Sequence, residues 1–166
     1  MKKIYIRCDG GNVGEYGSGH VSRMLSLAKS IKKKYKKKIN IVFLIRKQKN
    51  FKLGYNLVKK SNFKIFNCKD RTLLPNSENE KKLFGEIHSD LIIIDRLYLS
   101  KKLSKFLKNL SKKFIVFDTA KNKFIAEDQI FNINNFDKKK KKLNYFKYYI
   151  MNSKLKFNRA KNKNNL

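Results

Sequence analysis

Three aspartates stand where mostly apolar runs stop. Asp9 follows Ile4–Cys8, Asp95 follows Leu91–Ile94 and Asp118 follows Phe114–Phe117, while Asn132 or Asn134 holds the same place after Gln129–Phe131. With only 12 acidic residues in 166, this is a concentration and not scatter. A carboxylate at such a position can hold a polar substrate; it can equally cap the next helix or bind loop amides. Between Cys8 and His20 lie five of the seven glycines: Gly10, Gly11, Gly14, Gly17 and Gly19. Glycine lets a ligand approach the backbone closely, and the loop leads into a helix start whose free N–H groups attract anions. By position it is a cradle for a phosphate or sugar diphosphate, or else a flexible loop without a ligand. It lacks the Gly-Lys-Ser/Thr of a Walker loop, and Gly17-Ser18-Gly19-His20-Val21-Ser22 only approximates GxGxxG. His20 opens the following helix, where the positive end of the macrodipole favours a neutral imidazole able to accept a proton. That suits a general base acting on water or a hydroxyl; the other reading is a structural cap. His88 receives no role. No His, Cys and carboxylate cluster has metal-ligand spacing, so neither a metal nor a cofactor is expected.

The elements that must position these groups follow from periodicity. Lys3–Cys8 reads as a strand, and Val21, Met24, Leu25, Ala28, Ile31 and Tyr35 recur at helical spacing over about His20–Lys37. Ile39–Ile45 is an apolar strand, Phe51 to Val58 holds a short helix, and Phe63–Phe66 is a strand. Residues 76–88 predict a helix with Glu78 and Glu80 near its N-terminus, where the dipole favours acids. Leu91–Ile94 is a strand, Ser100 caps a helix carrying Leu103, Phe106, Leu107 and Leu110, and the strands Phe114–Phe117 and Gln129–Ile133 follow. Strand and helix in regular succession, with strands apolar throughout, predict a doubly wound α/β fold: a Rossmann-like parallel sheet covered on both faces. In such a sheet ligands bind beyond the carboxyl ends of the strands, where the aspartates and the glycine loop lie. The pattern stops near Asn134, giving a Rossmann-like domain over 1–135 and a lysine-rich linker, or entry to another domain, over 136–166.

Charge and composition limit the function classes. Lys plus Arg number 42 against 12 acids, for a net charge of +30, which ordinarily means a polyanionic partner. Only six of these cations are arginine (Arg7, Arg23, Arg46, Arg71, Arg96, Arg159), the better reader of phosphates and bases. Lysine excess together with Asn, Ile, Phe and Tyr is what A+T-rich coding puts on a solvated surface. Residues 137–166 place Tyr145, Phe146, Tyr148 and Tyr149 among lysines, as single-strand binding would require. No nucleic-acid motif accompanies them, and only non-specific nucleic-acid binding is expected. The longest apolar run, Ile41–Ile45, is far short of the roughly 20 residues of a membrane helix. There is no signal-peptide pattern, and Cys8 and Cys68 form no disulfide framework, so a reduced, cytoplasmic setting is expected.

Several of these segments together carry a family resemblance. Ile6-Arg7-Cys8-Asp9-Gly10-Gly11 followed by Gly17-Ser18-Gly19-His20-Val21-Ser22-Arg23-Met24-Leu25 resembles the opening of the nucleotide-sugar family that contains the UDP-sugar hydrolase of pseudaminic acid biosynthesis and the spore-coat polysaccharide glycosyltransferase-like proteins. Asp90–Ser100, Phe114–Asp118 and Asp128–Asn134 continue the likeness in order. The resemblance implies the N-terminal half of a GT-B-like enzyme, with a second, nucleotide-binding domain or chain facing it across the cleft and a UDP-sugar between them. It implies His20 as catalytic base and Gly17, Ser18 and Gly19 along the cleft; the strand-end residues Asp9, Asp95 and Asp118, together with Tyr98, are the further substrate-binding candidates. The leading expectation from the resemblance is a hydrolase of a UDP-linked sugar in surface-polysaccharide or nonulosonic acid synthesis, with a polysaccharide glycosyltransferase as the alternative. The hydrolase places a tyrosine where Leu97 stands here, Tyr98 coming one place later, an offset that leans toward the glycosyltransferase-like branch. Tyr148–Leu155 resembles the entry to the second domain, and the chain ends soon afterwards.

Overall fold

The computed structural model describes residues 1–12, 17–66, 70–117 and 129–131. Its framework is one parallel sheet of six strands: β1 (Lys2–Cys8), β2 (Ile39–Leu44), β3 (Lys64–Ile65), β4 (Leu91–Asp95), β5 (Lys113–Phe117) and β6 (Gln129–Phe131). The spatial order is β3-β2-β1-β4-β5-β6, every neighbouring pair being parallel. This is the doubly wound, Rossmann-like order, with the winding direction reversing between β1 and β4.

The strands read as apolar throughout because both faces are covered. On one face Ile4, Ile6, Cys8, Ile41, Phe43 and Ile93 meet α1 (Gly19–Tyr35) through Val21, Met24, Leu25 and Ala28, and α2 (Lys52–Lys60) through Val58. On the other, Tyr5, Val42, Leu44, Ile92, Ile94, Phe114 and Val116 meet α3 (Glu78–Gly85) and α4 (Lys101–Leu110) through Leu83, Phe84, Leu103 and Leu107. Each such side chain contributes about 1.5–3 kcal/mol by leaving water. Residue 7 of β1 falls on the Tyr5 face by the alternation of a strand, and there the sequence places an arginine that is 1% exposed.

Element ends depart modestly from the periodicity. α1 stops at Tyr35 because Lys36 turns to a φ of 47°. α3 is shorter than 76–88, running from the N-cap Ser77, whose Oγ accepts the Glu80 N–H at 3.0 Å. Ser100 caps α4 as expected, accepting the Leu103 N–H at 3.2 Å. Asp118, Cys68, Asn132, Asn134 and the 136–166 segment, with the aromatic residues in it, lie outside the described residues. Among the described residues no helix is long and apolar enough to cross a membrane.

Candidate active site

The reversal between β1 and β4 puts the carboxyl ends of two neighbouring strands side by side, with Cys8 in register with Asp95. Opposite them α1 begins. Ser18 is its N-cap residue but makes no side-chain capping bond, and His20 is the second helical residue. One turn later comes Arg23, on the same side of the helix as His20. Both reach Asp95: His20 Nδ1 lies 2.7 Å from Oδ1, while Arg23 donates from Nε to Oδ2 at 2.8 Å and from Nη2 to Oδ1 at 2.6 Å. Arg23 Nη2, which only donates, also lies 3.2 Å from His20 Nδ1, but the shorter contact is to a carboxylate, which only accepts; it places the proton on Nδ1 and makes Nε2 the basic nitrogen of the neutral ring. Arg23 grips both oxygens of Asp95 in a fork and fixes the plane of the carboxylate that orients the imidazole. The histidine is 9% exposed.

A second polar cluster lies beside the first and is built differently. Arg7 donates from Nε to Glu80 Oε1 at 2.8 Å and spans Asp9, with Nη1 2.7 Å from Oδ1 and Nη2 2.9 Å from Oδ2. Its Nη1 also donates to the Cys8 carbonyl at 3.1 Å and its Nη2 to the Leu73 carbonyl at 2.7 Å. Arg46 closes on Asp9 from the other side, with its N–H on Oδ1 at 3.1 Å and Nε on Oδ2 at 2.8 Å, its guanidinium stacked 3.5 Å from the centre of the Phe51 ring. Arg96 forks onto Glu80 at 2.6 and 3.0 Å, and the Asn76 N–H donates to the same carboxylate at 2.7 Å.

The electrostatics follow from this pairing. Burial alone would raise the Glu80 carboxyl, but Arg96 and Arg7 overcome it and bring it from 4.5 down to about 2. Burial opposes ionisation of Asp9 as well, and Arg7 followed by Arg46 hold it below the usual carboxylate range. For Arg7, burial works against the cation while Asp9 and Glu80 push its value above the ordinary one. Cys8 sits between the two clusters; burial, then the charges of Asp95 and Asp9, drive its thiol well up, so it stays protonated at neutral pH.

Arg7, Cys8, Asp9, His20, Pro75, Asp95 and Arg96 line a small cleft with room for about one water. The structure thus brings Asp9, His20 and Asp95 together, as the strand-end rule requires. Gly17, Ser18 and Gly19 are exposed at the start of α1. Tyr98 is 54% exposed and is not part of the lining, while Asp118 lies outside the described residues.

The glycines divide into two kinds, a division the loop's composition hides. A Cβ on Gly11 would come 2.0 Å from the Asn50 carbonyl oxygen, and one on Gly54 would come 2.5 Å from the Gly10 oxygen, to which the Gly54 N–H donates at 3.0 Å. Gly11 and Gly54 therefore allow backbone to pack on backbone, tying the β1 loop to the start of α2, while a Cβ on Gly10 would meet the Val21 side chain of α1 at 2.7 Å. A Cβ on Gly17 or Gly19 would meet nothing within 4 Å.

Sequence reasoning missed Arg7, Arg23, Arg46, Arg96 and Glu80, and it explained Glu80 as a helix-dipole acid when it is a fully buried hub. The signal was present. An arginine inside a strand covered on both faces must be buried, and a buried guanidinium needs a carboxylate. Four of the six arginines gather at this end of the sheet, so their scarcity is misleading without their placement.

No protein-family model matches the chain. An uncharacterized protein of Methanocaldococcus jannaschii is 31% identical over 97% of the chain, which spans 34% of that relative's length. A solved structure, Acinetobacter baumannii MurG, overlays on 70% of the chain and 35% of its own length, with 12% identity and a TM-score of 0.46. The chain thus spans about a third of the length of both of these proteins.

Proposed function

We propose that the chain forms half of the cleft of a nucleotide-sugar-processing enzyme, with His20 as general base, transferring a sugar from UDP to an acceptor hydroxyl. The observation that carries the reading is the 2.7 Å contact of His20 Nδ1 with Asp95 beyond the carboxyl ends of β1 and β4. It leaves Nε2 as the basic nitrogen of the neutral ring, and Arg23 holds the orienting carboxylate in place. In the reaction the acceptor oxygen attacks the anomeric carbon as Nε2 takes its proton, and the bond from that carbon to the diphosphate oxygen breaks. The nucleotide-sugar substrate comes from the resemblance of the Gly17–Leu25 segment and its companions. With room for about one water, the cleft is far too small to enclose a sugar by itself, which fits a site completed by a second surface. Transfer is preferred to hydrolysis because Leu97 occupies the register of the hydrolase tyrosine and the neighbouring Tyr98 is exposed.

The test incubates the chain, alone and with a UDP-binding partner domain, with UDP-sugars in the presence and absence of hydroxyl acceptors, and separates the products. Sugar joined to acceptor with release of UDP is the expected result. Free sugar alone would replace transfer by hydrolysis, and absence of UDP release under every condition would sink the proposal. The isolated chain is expected to turn over little, since positioning across a complete cleft supplies about 7–11 kcal/mol of barrier lowering.

A further inference from the structure

The end of the sheet opposite the cleft carries a different chemistry. Lys2 pairs in register with Ile39, directly after Lys38, and Leu91 pairs with Lys113, directly after Lys112. Lys3 adjoins Asp90, whose N–H donates to its carbonyl at 3.0 Å. Lys2, Lys3, Lys38, Lys112 and Lys113 therefore form an exposed row along the starts of four adjacent strands, roughly 15 Å long at the strand spacing. Lysines in the last turns of α1 and α2 suit helix C-termini, but the row belongs to strand starts and turns, which have no dipole of their own to satisfy. Within the row the acid is Asp90, already engaged by the Lys3 N–H at 2.9 Å and the Lys112 Nζ at 3.3 Å; Glu86 lies exposed just beyond α3. At the other end of the same strands, Arg7, Arg23, Arg46 and Arg96 are matched by Asp9, Glu80 and Asp95.

We propose that this lysine edge is an electrostatic docking surface for an anionic lipid bilayer. The described residues at the edge include no arginine fork for reading bases, only lysine point charges that attract a charged surface without orienting to it. Among the lysines stand Met1, 78% exposed, and Tyr35, 44% exposed, an apolar and an aromatic group of the kind a headgroup layer accepts. The edge lies the length of β1, about 20 Å, from the cleft, so docking would leave the cleft facing water. This inference is independent of the proposed reaction.

Flotation with vesicles of phosphatidylcholine, alone or with about 30% phosphatidylserine, at about 150 mM salt tests it. The triple variant Lys2→Glu, Lys38→Glu, Lys113→Glu is compared with Lys29→Glu, Lys52→Glu, Lys105→Glu, the same charge change on exposed helix positions away from the edge. Binding to the anionic vesicles only is expected, weakened at least about 100-fold by the edge variant and about fivefold or less by the other. Circular dichroism confirms that both variants are folded. Equal weakening by the two variants would reduce the effect to net charge and overturn the proposal. So would an absence of vesicle binding, or a single-stranded RNA that binds tightly at the same salt and displaces the protein from vesicles.

Discussion

The two polar clusters at the carboxyl end of the sheet are neighbours, yet they differ in how their charges are used. In the cluster of Arg7, Asp9, Arg46, Glu80 and Arg96, each carboxylate is held by two guanidiniums, and the hub, Glu80, is fully buried. In the cluster of His20, Arg23 and Asp95, one carboxylate orients an imidazole whose second nitrogen is the base the proposed reaction needs. The first arrangement fixes the loops after β1, β2, β3 and β4 relative to one another. The second has a group that can change protonation state. A site that must position a base benefits from a neighbour that does not move, and a buried ion cluster whose two carboxylates are each gripped from two sides supplies this through strict geometry.

Breaking the closed cluster should have the largest effect on folding. Glu80→Gln leaves Arg7 and Arg96 without their shared counter-charge and should cost about 3–5 kcal/mol, read from the urea unfolding midpoint. A loss under about 1 kcal/mol would mean that the cluster adds little to the frame.

Acid should sharpen the same contrast. The folded Glu80 carboxyl, at about 2, lies below its unfolded value of 4.5, so its contribution is present above about pH 4.5 and lost as pH falls toward 2. Asp9 shifts in the same direction. Glu80 alone accounts for about 3 kcal/mol of stability lost across that window, measured by denaturation at successive pH values. The Glu80→Gln variant should lose this part of the pH dependence.

The glycines provide a smaller and more local test. Gly11→Ala forces a methyl against the Asn50 carbonyl and should cost about 1–3 kcal/mol. Gly17→Ala meets only open space and should alter stability by about 0.5 kcal/mol or less, while lowering turnover if a substrate lies over the loop. Thermal melts and product assays on the pair separate packing glycines from ligand-facing ones.

Much of the frame was legible in the sequence because it depends on local periodicity. The apolar runs gave the strands, Ser100 gave the start of α4, the strand-end rule led to Asp9 and Asp95, and the helix start after the glycine loop led to His20. Less legible was anything set by long-range pairing. Glu80 follows Arg7 by more than 70 residues, and its position in the first turn of α3 offered a sufficient local explanation that concealed its burial. Arg23 looked like one more surface cation, because α1 alone does not reveal that its His20 side faces the end of β4. The glycines shared a single composition signal although Gly11 serves backbone packing and Gly17 does not; only the contacts of a Cβ distinguish them.

The central claim is that His20, oriented by Asp95, is the group that moves a proton. The direct measurement is kcat and KM for His20→Asn with a UDP-sugar and acceptor in the assembled cleft, alongside its melting temperature. Asparagine can still donate to Asp95 but has no imidazole nitrogen to accept a proton. The expected result is a kcat lowered by about 10²–10⁴ with KM and melting temperature nearly unchanged. Wild-type kcat in a folded His20→Asn protein would contradict the account and assign the histidine to structure.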